Sequence, residues 1–173
     1  MDALEMISRR RSIRKYRDEE IDDDKIETLL KSAMYAPSAI NEQPWHFIVV
    51  KDKDSLKELS KTLAYGKMLS EAAAAIVICA DKGLCKTKED FWVQDCSAAT
   101  QNILLAATAM GIGSVWLGIY PNKDRVKAIA DHFGVPENIV PFNVISLGYP
   151  QDERDLKEKP ERFKKDRIHY SRW

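Results

Sequence analysis

Between Lys88 and Tyr120 the chain reads KEDFWVQDCSAATQNILLAATAMGIGSVWLGIY. From Lys88 to Met110 it holds neither Gly nor Pro. Phe91, Val93, Cys96, Ala99, Ile103, Leu104, Ala107 and Met110 spread apolar character around most of a helical circumference. The pattern predicts a central helix over about residues 88–110, enclosed rather than lying on a wet surface. Ser97, Ala98, Ala99, Ala106, Ala107 and Ala109 are small, so another helix can approach closely, which favours a subunit interface. Gly111 and Gly113 break the periodicity, and Ser114–Ile119 reads as a strand.

Upstream, Ile26, Leu29, Leu30 and Ala33 have helical spacing from Asp22, which can cap the start while Ile21 staples onto Ile26; Pro37 ends the helix. Phe47–Val50 and Ile76–Ala80 are short apolar runs without polar alternation, which predicts strands covered on both faces and therefore flanked by helices. Downstream, Val126, Ile129, Ala130 and Phe133 mark a helix closed by Gly134, and Phe142–Leu147 gives another strand. The stretch from Gln151 to Trp173 is charged until Ile168, Tyr170 and Trp173, so it reads as an arm that needs a partner surface. With no repeat or linker, the 173 residues suit one domain over 1–173.

Twenty-seven Lys plus Arg balance twenty-seven Asp plus Glu, leaving no basic excess to hold nucleic acid or an anionic membrane. No stretch approaches the roughly 20 apolar residues of a membrane span, and the charged start MDALEMISRRRS lacks a signal peptide's apolar core; a cytoplasmic protein is expected. Cys79, Cys85 and Cys96 form no CxxC pair and read as reduced, core-type thiols. His46, His132 and His169 have no metal-ligand spacing with one another or with cysteine, so no metal site is expected.

Four stretches can carry chemistry. Arg9, Arg10, Arg11, Ser12 and Arg14 place four guanidinium groups and a hydroxyl within six positions, and arginine matches phosphate oxygens in bidentate fashion; alone, such a run reads more often as a solvated face or a short basic address signal. Ala36–Trp45, APSAINEQPW, combines two stiffening prolines with Ser38, Asn41 and Gln43, whose polar groups can read the edge of a flat heterocycle or simply form a loop. Gly111–Tyr120 ends its strand at Gly118, where backbone amides can come close to a ligand ring. The glycines follow a helix instead of opening one, so this is not a dinucleotide fingerprint. The tail cations Lys157, Lys159, Arg162, Lys164, Lys165 and Arg167 are interleaved with acids and read mainly as a solvated face.

Taken in this order, RRRSIR near residue 10, PSAINEQPWHF near residue 40, NILLAATAMGIGSVWLG near residue 110 and KPERF in the tail resemble the nitroreductase family of flavoproteins over nearly the whole chain. The resemblance implies an α+β fold with a mixed, largely antiparallel sheet flanked by helices, in an intertwined homodimer that binds one flavin mononucleotide (FMN) in each interface pocket. It directs Arg10 to the flavin phosphate and Arg14 to the pyrimidine edge, with Arg11 and Ser12 as further contacts. Pro37, Ser38, Ala39 and Asn41 match a loop contributed by the second subunit. Lys67 matches a lysine near the ring's N1 and C2 carbonyl, Trp116, Leu117 and Gly118 a strand whose backbone faces N5, and Arg162 a tail arginine that reaches the phosphate. Two positions depart from the pattern: Ala64 stands where some members have asparagine, and Asp95 where some offer a glutamine.

The implied activity is a ping-pong oxidoreduction from NADH or NADPH to a nitroaromatic, quinone or similar small acceptor, with no side-chain acid or nucleophile assigned. The alternatives are a non-catalytic flavin-binding or flavin-delivering protein, a reductive dehalogenase or flavin-consuming enzyme on the same fold, and a structural dimer without cofactor.

Overall fold

The computed structural model describes residues 2–87, 90–152 and 161–173. Its elements run α1 (Ala3–Arg9), α2 (Asp23–Met34), β1 (Trp45–Val50), α3 (Lys53–Thr62), β2 (Ala74–Asp81), α4 (Trp92–Ala109), β3 (Gly113–Gly118), α5 (Lys123–Phe133) and β4 (Ile139–Gly148). Short 3-10 turns occupy Ala39–Asn41, Lys67–Glu71 and Lys165–Arg167. The strands form one sheet in the order β1-β2-β4-β3, antiparallel throughout. The expected mixed character rests on one parallel bridge, Ser12 to Ser114, at the β3 edge.

The sheet separates two apolar layers, because alternate side chains of a strand point to opposite faces. On β2, Ala74, Ile76, Ile78 and Ala80 join one cluster with Leu29 and Ala33 of α2 and Cys96, Ala99, Ile103 and Ala107 of α4. Ala75, Val77 and Cys79 join the other with Leu56 and Leu59 of α3 and Ile129 of α5. β2 is thus covered on both faces, as its unbroken apolar run predicts. β1 corrects that expectation: it is an edge strand, with Phe47 and Ile48 half-buried and Val49 38% exposed. An apolar run cannot distinguish a doubly covered strand from one left partly bare by its position in the sheet.

Helix ends show which local signals acted. Gly134 closes α5 in the left-handed region at φ 62°, where glycine carries no Cβ penalty. The Asp22 side chain makes no capping bond; it pairs with Lys25, while its carbonyl accepts the N–H groups of Lys25 and Ile26. Ile21 and Ile26 are both buried in the same cluster. α3 has a cap and an apolar spacing that a sequence reading can find, namely Asp52 accepting from Asp54 and Ser55, followed by Leu56 and Leu59. α4 begins at Trp92, later than the predicted Lys88, and Lys88 and Glu89 lie outside the described residues.

Not all of α4 is covered. Leu105, Ala106, Ala109 and Met110, with Met6 at α1 and Tyr35 after α2, border an open groove of about 450 Å³. The tail over 161–173 is exposed throughout, including Phe163, Tyr170 and Trp173. Lys157 and Lys159 lie outside the described residues. The three cysteines are free; Cys79 and Cys96 are buried, and Cys85 is half-buried. Burial pushes the Cys79 thiol up to about 12 and raises Cys96 as well, so both stay protonated and unreactive. No described helix is long and apolar enough to cross a membrane.

Candidate functional site

The arginine-bearing segment is held by its apolar residues. Ile13 and Tyr16 are buried, and the Ile13 N–H donates to the Ser114 carbonyl at 2.9 Å. The Arg17 N–H donates to the Tyr149 carbonyl at 3.0 Å, and the Gln151 N–H to the Lys15 carbonyl at 3.1 Å. The room for these anchors comes from two glycines that face each other in register, Gly113 and Gly148. A Cβ on Gly113 would lie 2.8 Å from the Ile13 side chain, and one on Gly148 would lie 2.6 Å from the Tyr16 ring. The Tyr16 hydroxyl donates to the Ile13 carbonyl (2.9 Å) and shares a 3.0 Å hydrogen bond with Ser146 Oγ. With Ile13 and Tyr16 turned inward, Ser12 and Arg14 are left exposed, Ser12 bridged to Ser114 near the start of β3 and Arg14 beside its end.

A cleft of about 230 Å³ opens there, lined by Arg14, Leu63, Ala64, Tyr65, Trp116, Leu117, Gly118 and Arg125. It brings together Arg14 with Trp116, Leu117 and Gly118, candidates that lie about a hundred positions apart in the chain. Trp116 is steadied by edge contact with Phe142, at 5.9 Å between ring centroids. A Cβ on Gly118 would meet nothing within 4 Å, so open space reaches the strand backbone at this point. No carboxylate among the described residues lines the cleft. Arg10 and Arg11 are half-buried on the same segment, and Lys67 is exposed two residues after Tyr65.

Pro37, Ser38, Ala39 and Asn41 do not line this cleft. Their loop has its own restraints. Ile40, Asn41 and Gln43 have φ of 42°, 59° and 51°, sparsely populated for residues with side chains, so surrounding bonds must hold them. Ser38 Oγ accepts the Gln43 N–H at 3.0 Å, and Gln43 Nε2 donates to Asn41 Oδ1 at 3.0 Å. Asp95 Oδ1 on α4 accepts the Ala39 N–H at 3.0 Å, and Glu42 Oε1 accepts the N–H groups of Lys86 and Thr87. Asp95 is only 5% exposed; burial raises its pKa, the Ala39 N–H lowers it, and the nearby Glu42 charge raises it again. The departure at Asp95 therefore anchors a loop in this structure.

Arg162 is exposed in the tail and is not among the residues lining the cleft. Tyr65 and Arg125 line it although the sequence reading singled out neither. The signal for Arg125 is its place in the first turn after Asn122, the cap of α5 that follows the Gly118 strand end. Among the described residues no cluster of three or more His, Cys, Asp or Glu could hold a metal ion.

Both the sequence and the fold match known proteins. The family model described as "Nitroreductase family" matches residues 7–83 and 57–149. A protein of Archaeoglobus fulgidus, provisionally named NADH dehydrogenase/NAD(P)H nitroreductase, is 59% identical over 172 residues, covering 99% of each chain. The crystal structure of a provisionally named NADH oxidase from Clostridium acetobutylicum superposes with a TM-score of 0.92 at 43% identity, covering 97% of this chain and 99% of that one. An FMN-dependent nitroreductase from Clostridium difficile R20291 superposes with a TM-score of 0.87 at 33% identity, covering 98% and 99%. With the family's pattern spanning the arginine segment, the strained loop and the Gly118 strand, the chain belongs to the nitroreductase family.

Proposed function

We propose that this chain, a single domain over residues 1–173, binds FMN and carries electrons from NADH or NADPH to a small acceptor such as a nitroaromatic or a quinone. The scheme is ping-pong, in a homodimer whose two sites each draw on both chains. The observation that carries the reading is the cleft at the β3 end, cationic, free of carboxylates among the described residues and open at the Gly118 backbone. A flat ring that gathers negative charge on reduction and carries an anionic tail suits that donor set.

In this reading Arg10 and Arg162 hold the phosphate, since guanidinium groups pair with phosphate oxygens through two parallel hydrogen bonds. Arg11 and Ser12 supply further contacts, and Trp116, Leu117 and Gly118 present backbone to the reactive edge of the ring. Arg14 and Lys67 place fixed positive charge where a reduced ring gathers negative charge, which is stabilisation prepared in advance of the reaction. Pro37, Ser38, Ala39 and Asn41 cover the site of the other protomer, their loop kept in shape by Asp95. Bound there, FMN would supply the redox chemistry, hydride acceptance from the nicotinamide and two-electron reduction of the acceptor. For a quinone the balance is NAD(P)H + H⁺ + quinone → NAD(P)⁺ + hydroquinone. No side-chain acid or nucleophile is needed.

The bare apolar groove along α1, α2 and α4, and the exposed aromatic tail, support the homodimer, because large uncovered apolar patches mark protein interfaces. Nothing in the balanced charge points to nucleic acid, and a cytoplasmic location fits the absence of a membrane-crossing helix among the described residues. The test is the visible absorption spectrum of the purified protein before and after anaerobic addition of NADH or NADPH. Flavin bands that bleach support the reductase. Bands that persist point to flavin storage, and a protein that takes up no FMN ends the reading.

A further inference from the structure

Arg125 is held from both ends. Its backbone N–H is accepted by Asn122 Oδ1 at 3.0 Å, which fixes the first turn of α5, and its Nη1 donates to the Gly118 carbonyl at 3.2 Å. The residue is half-buried and lines the cleft. That one bond uses one of the five N–H donors of the guanidinium. Among the described residues no carboxylate pairs with Arg125 or Arg14 and none lines the cleft, so neither guanidinium is neutralised by a described side chain there.

We infer that Arg125 makes the site selective for acceptors that carry an anionic group, a carboxylate or sulfonate, beside the reducible nitro or quinone function. The inference rests on the functional reading above. In that reading Arg10 and Arg162 serve the phosphate and Arg14 the pyrimidine edge, which leaves the charge of Arg125 for another ligand. Its position at Gly118 puts it beside the strand end assigned to the reactive edge of the ring, where an acceptor must arrive. A guanidinium fixed by its own hydrogen bond has little freedom left to lose when it grips a carboxylate in fork geometry. The half-open cleft still leaves room for a ligand at Tyr65 and Trp116.

The test compares two isosteric acceptors, 4-nitrobenzoate and 4-nitrobenzamide, on the FMN-loaded dimer. Each is reduced by two electrons: NADH + H⁺ + ArNO₂ → NAD⁺ + ArNO + H₂O. The quantity read is the ratio of kcat/KM for the anion to that for the amide, in the parent protein, R125Q and R125K. The glutamine removes the charge while keeping a polar side chain of similar stem. The expected ratio falls about tenfold in R125Q and is largely restored in R125K, the worth of one charge-assisted contact. Calorimetric titration of the oxidised protein with 4-aminobenzoate and 4-aminobenzamide, where no turnover occurs, should show the same shift in Kd ratio. A ratio that does not move in R125Q overturns the inference, and a tenfold weaker FMN affinity with an unmoved ratio overturns it by assigning the arginine to the cofactor. Failure of the parent protein to take up FMN would instead overturn the functional reading, and this inference with it.

Discussion

The carboxylate of Asp95, on the first turns of α4, accepts the backbone N–H of Ala39 at 3.0 Å and so ties the strained loop 37–43 to the central helix. The other carboxylate oxygen, Oδ2, is buried without a hydrogen-bond partner. The bond holds in place a loop whose backbone would otherwise relax.

D95A should leave the Ala39 N–H without its acceptor and cost about 1–3 kcal/mol of stability, the usual penalty for an orphaned buried donor. D95N keeps an acceptor oxygen and should recover most of that loss. The two also differ in pH dependence. Burial raises the Asp95 pKa in the folded chain, so the native state binds the proton more tightly than the unfolded state, and stability falls as pH rises from the ordinary carboxylate value through the raised one. Thermal unfolding of the parent and D95N across pH 3–7 checks this; curves that stay parallel would refute it.

G148A should be poorly tolerated although alanine is ordinarily acceptable in a strand. The added Cβ would sit 2.6 Å from the Tyr16 ring, and displacing Tyr16 also shifts the segment that carries Ser12 and Arg14. A loss of about 1–3 kcal/mol, typical of overpacking, is expected together with weaker FMN binding. Chemical denaturation and flavin titration of the same sample measure both.

Y16F should cost about 1 kcal/mol through loss of the bonds to the Ile13 carbonyl and Ser146. Burial pushes the Tyr16 hydroxyl up to about 12. Between its ordinary value near 10 and 12, the unfolded chain loses this proton and the folded chain keeps it, so the parent loses stability over that window. Y16F should lack this component of the alkaline decline in urea unfolding.

R10A should weaken FMN binding by about 1.5–3 kcal/mol, the worth of a hydrogen bond to a charged group. Quenching of FMN fluorescence on titration reads it directly. Unchanged affinity would remove Arg10 from the phosphate site.

A109R places a charge on the exposed side of α4, in the bare groove with Leu105 and Met110. The folded chain should tolerate it, whereas a homodimer built on that groove should dissociate and lose FMN with it. Sedimentation velocity together with the flavin absorbance of each peak tests the link; a flavin-loaded monomer would break it.

Much of this was legible in order along the chain. The Gly-free and Pro-free run into Met110, the break at Gly111, the apolar run of β2 and the Gly134 stop are local patterns, and each states its physics within one or two turns or strands. The motif order around RRRSIR and PSAINEQPW was enough to name the family. The short helices α1 and α3 went unread, although Asp52 and the Leu56, Leu59 spacing were in view.

What the tertiary structure decided depends on pairs distant in the chain. How fully an apolar strand is covered follows from its place in the sheet, which is why edge strand β1 and central strand β2 differ despite similar composition. Gly113 read only as a break after the central helix and Gly148 carried no signal of its own; only their pairing in register reveals them as the space that Ile13 and Tyr16 fill. Asp95 looked like a lost side-chain contact until the fold brought it within 3.0 Å of Ala39. Arg125 acquired a candidate role only when α5 returned it to Gly118. Local sequence patterns set the elements, because hydrophobic periodicity and capping act over a few residues. The site is set by the fold, because hydrogen bonds and close packing act over a few ångströms whatever the separation along the chain.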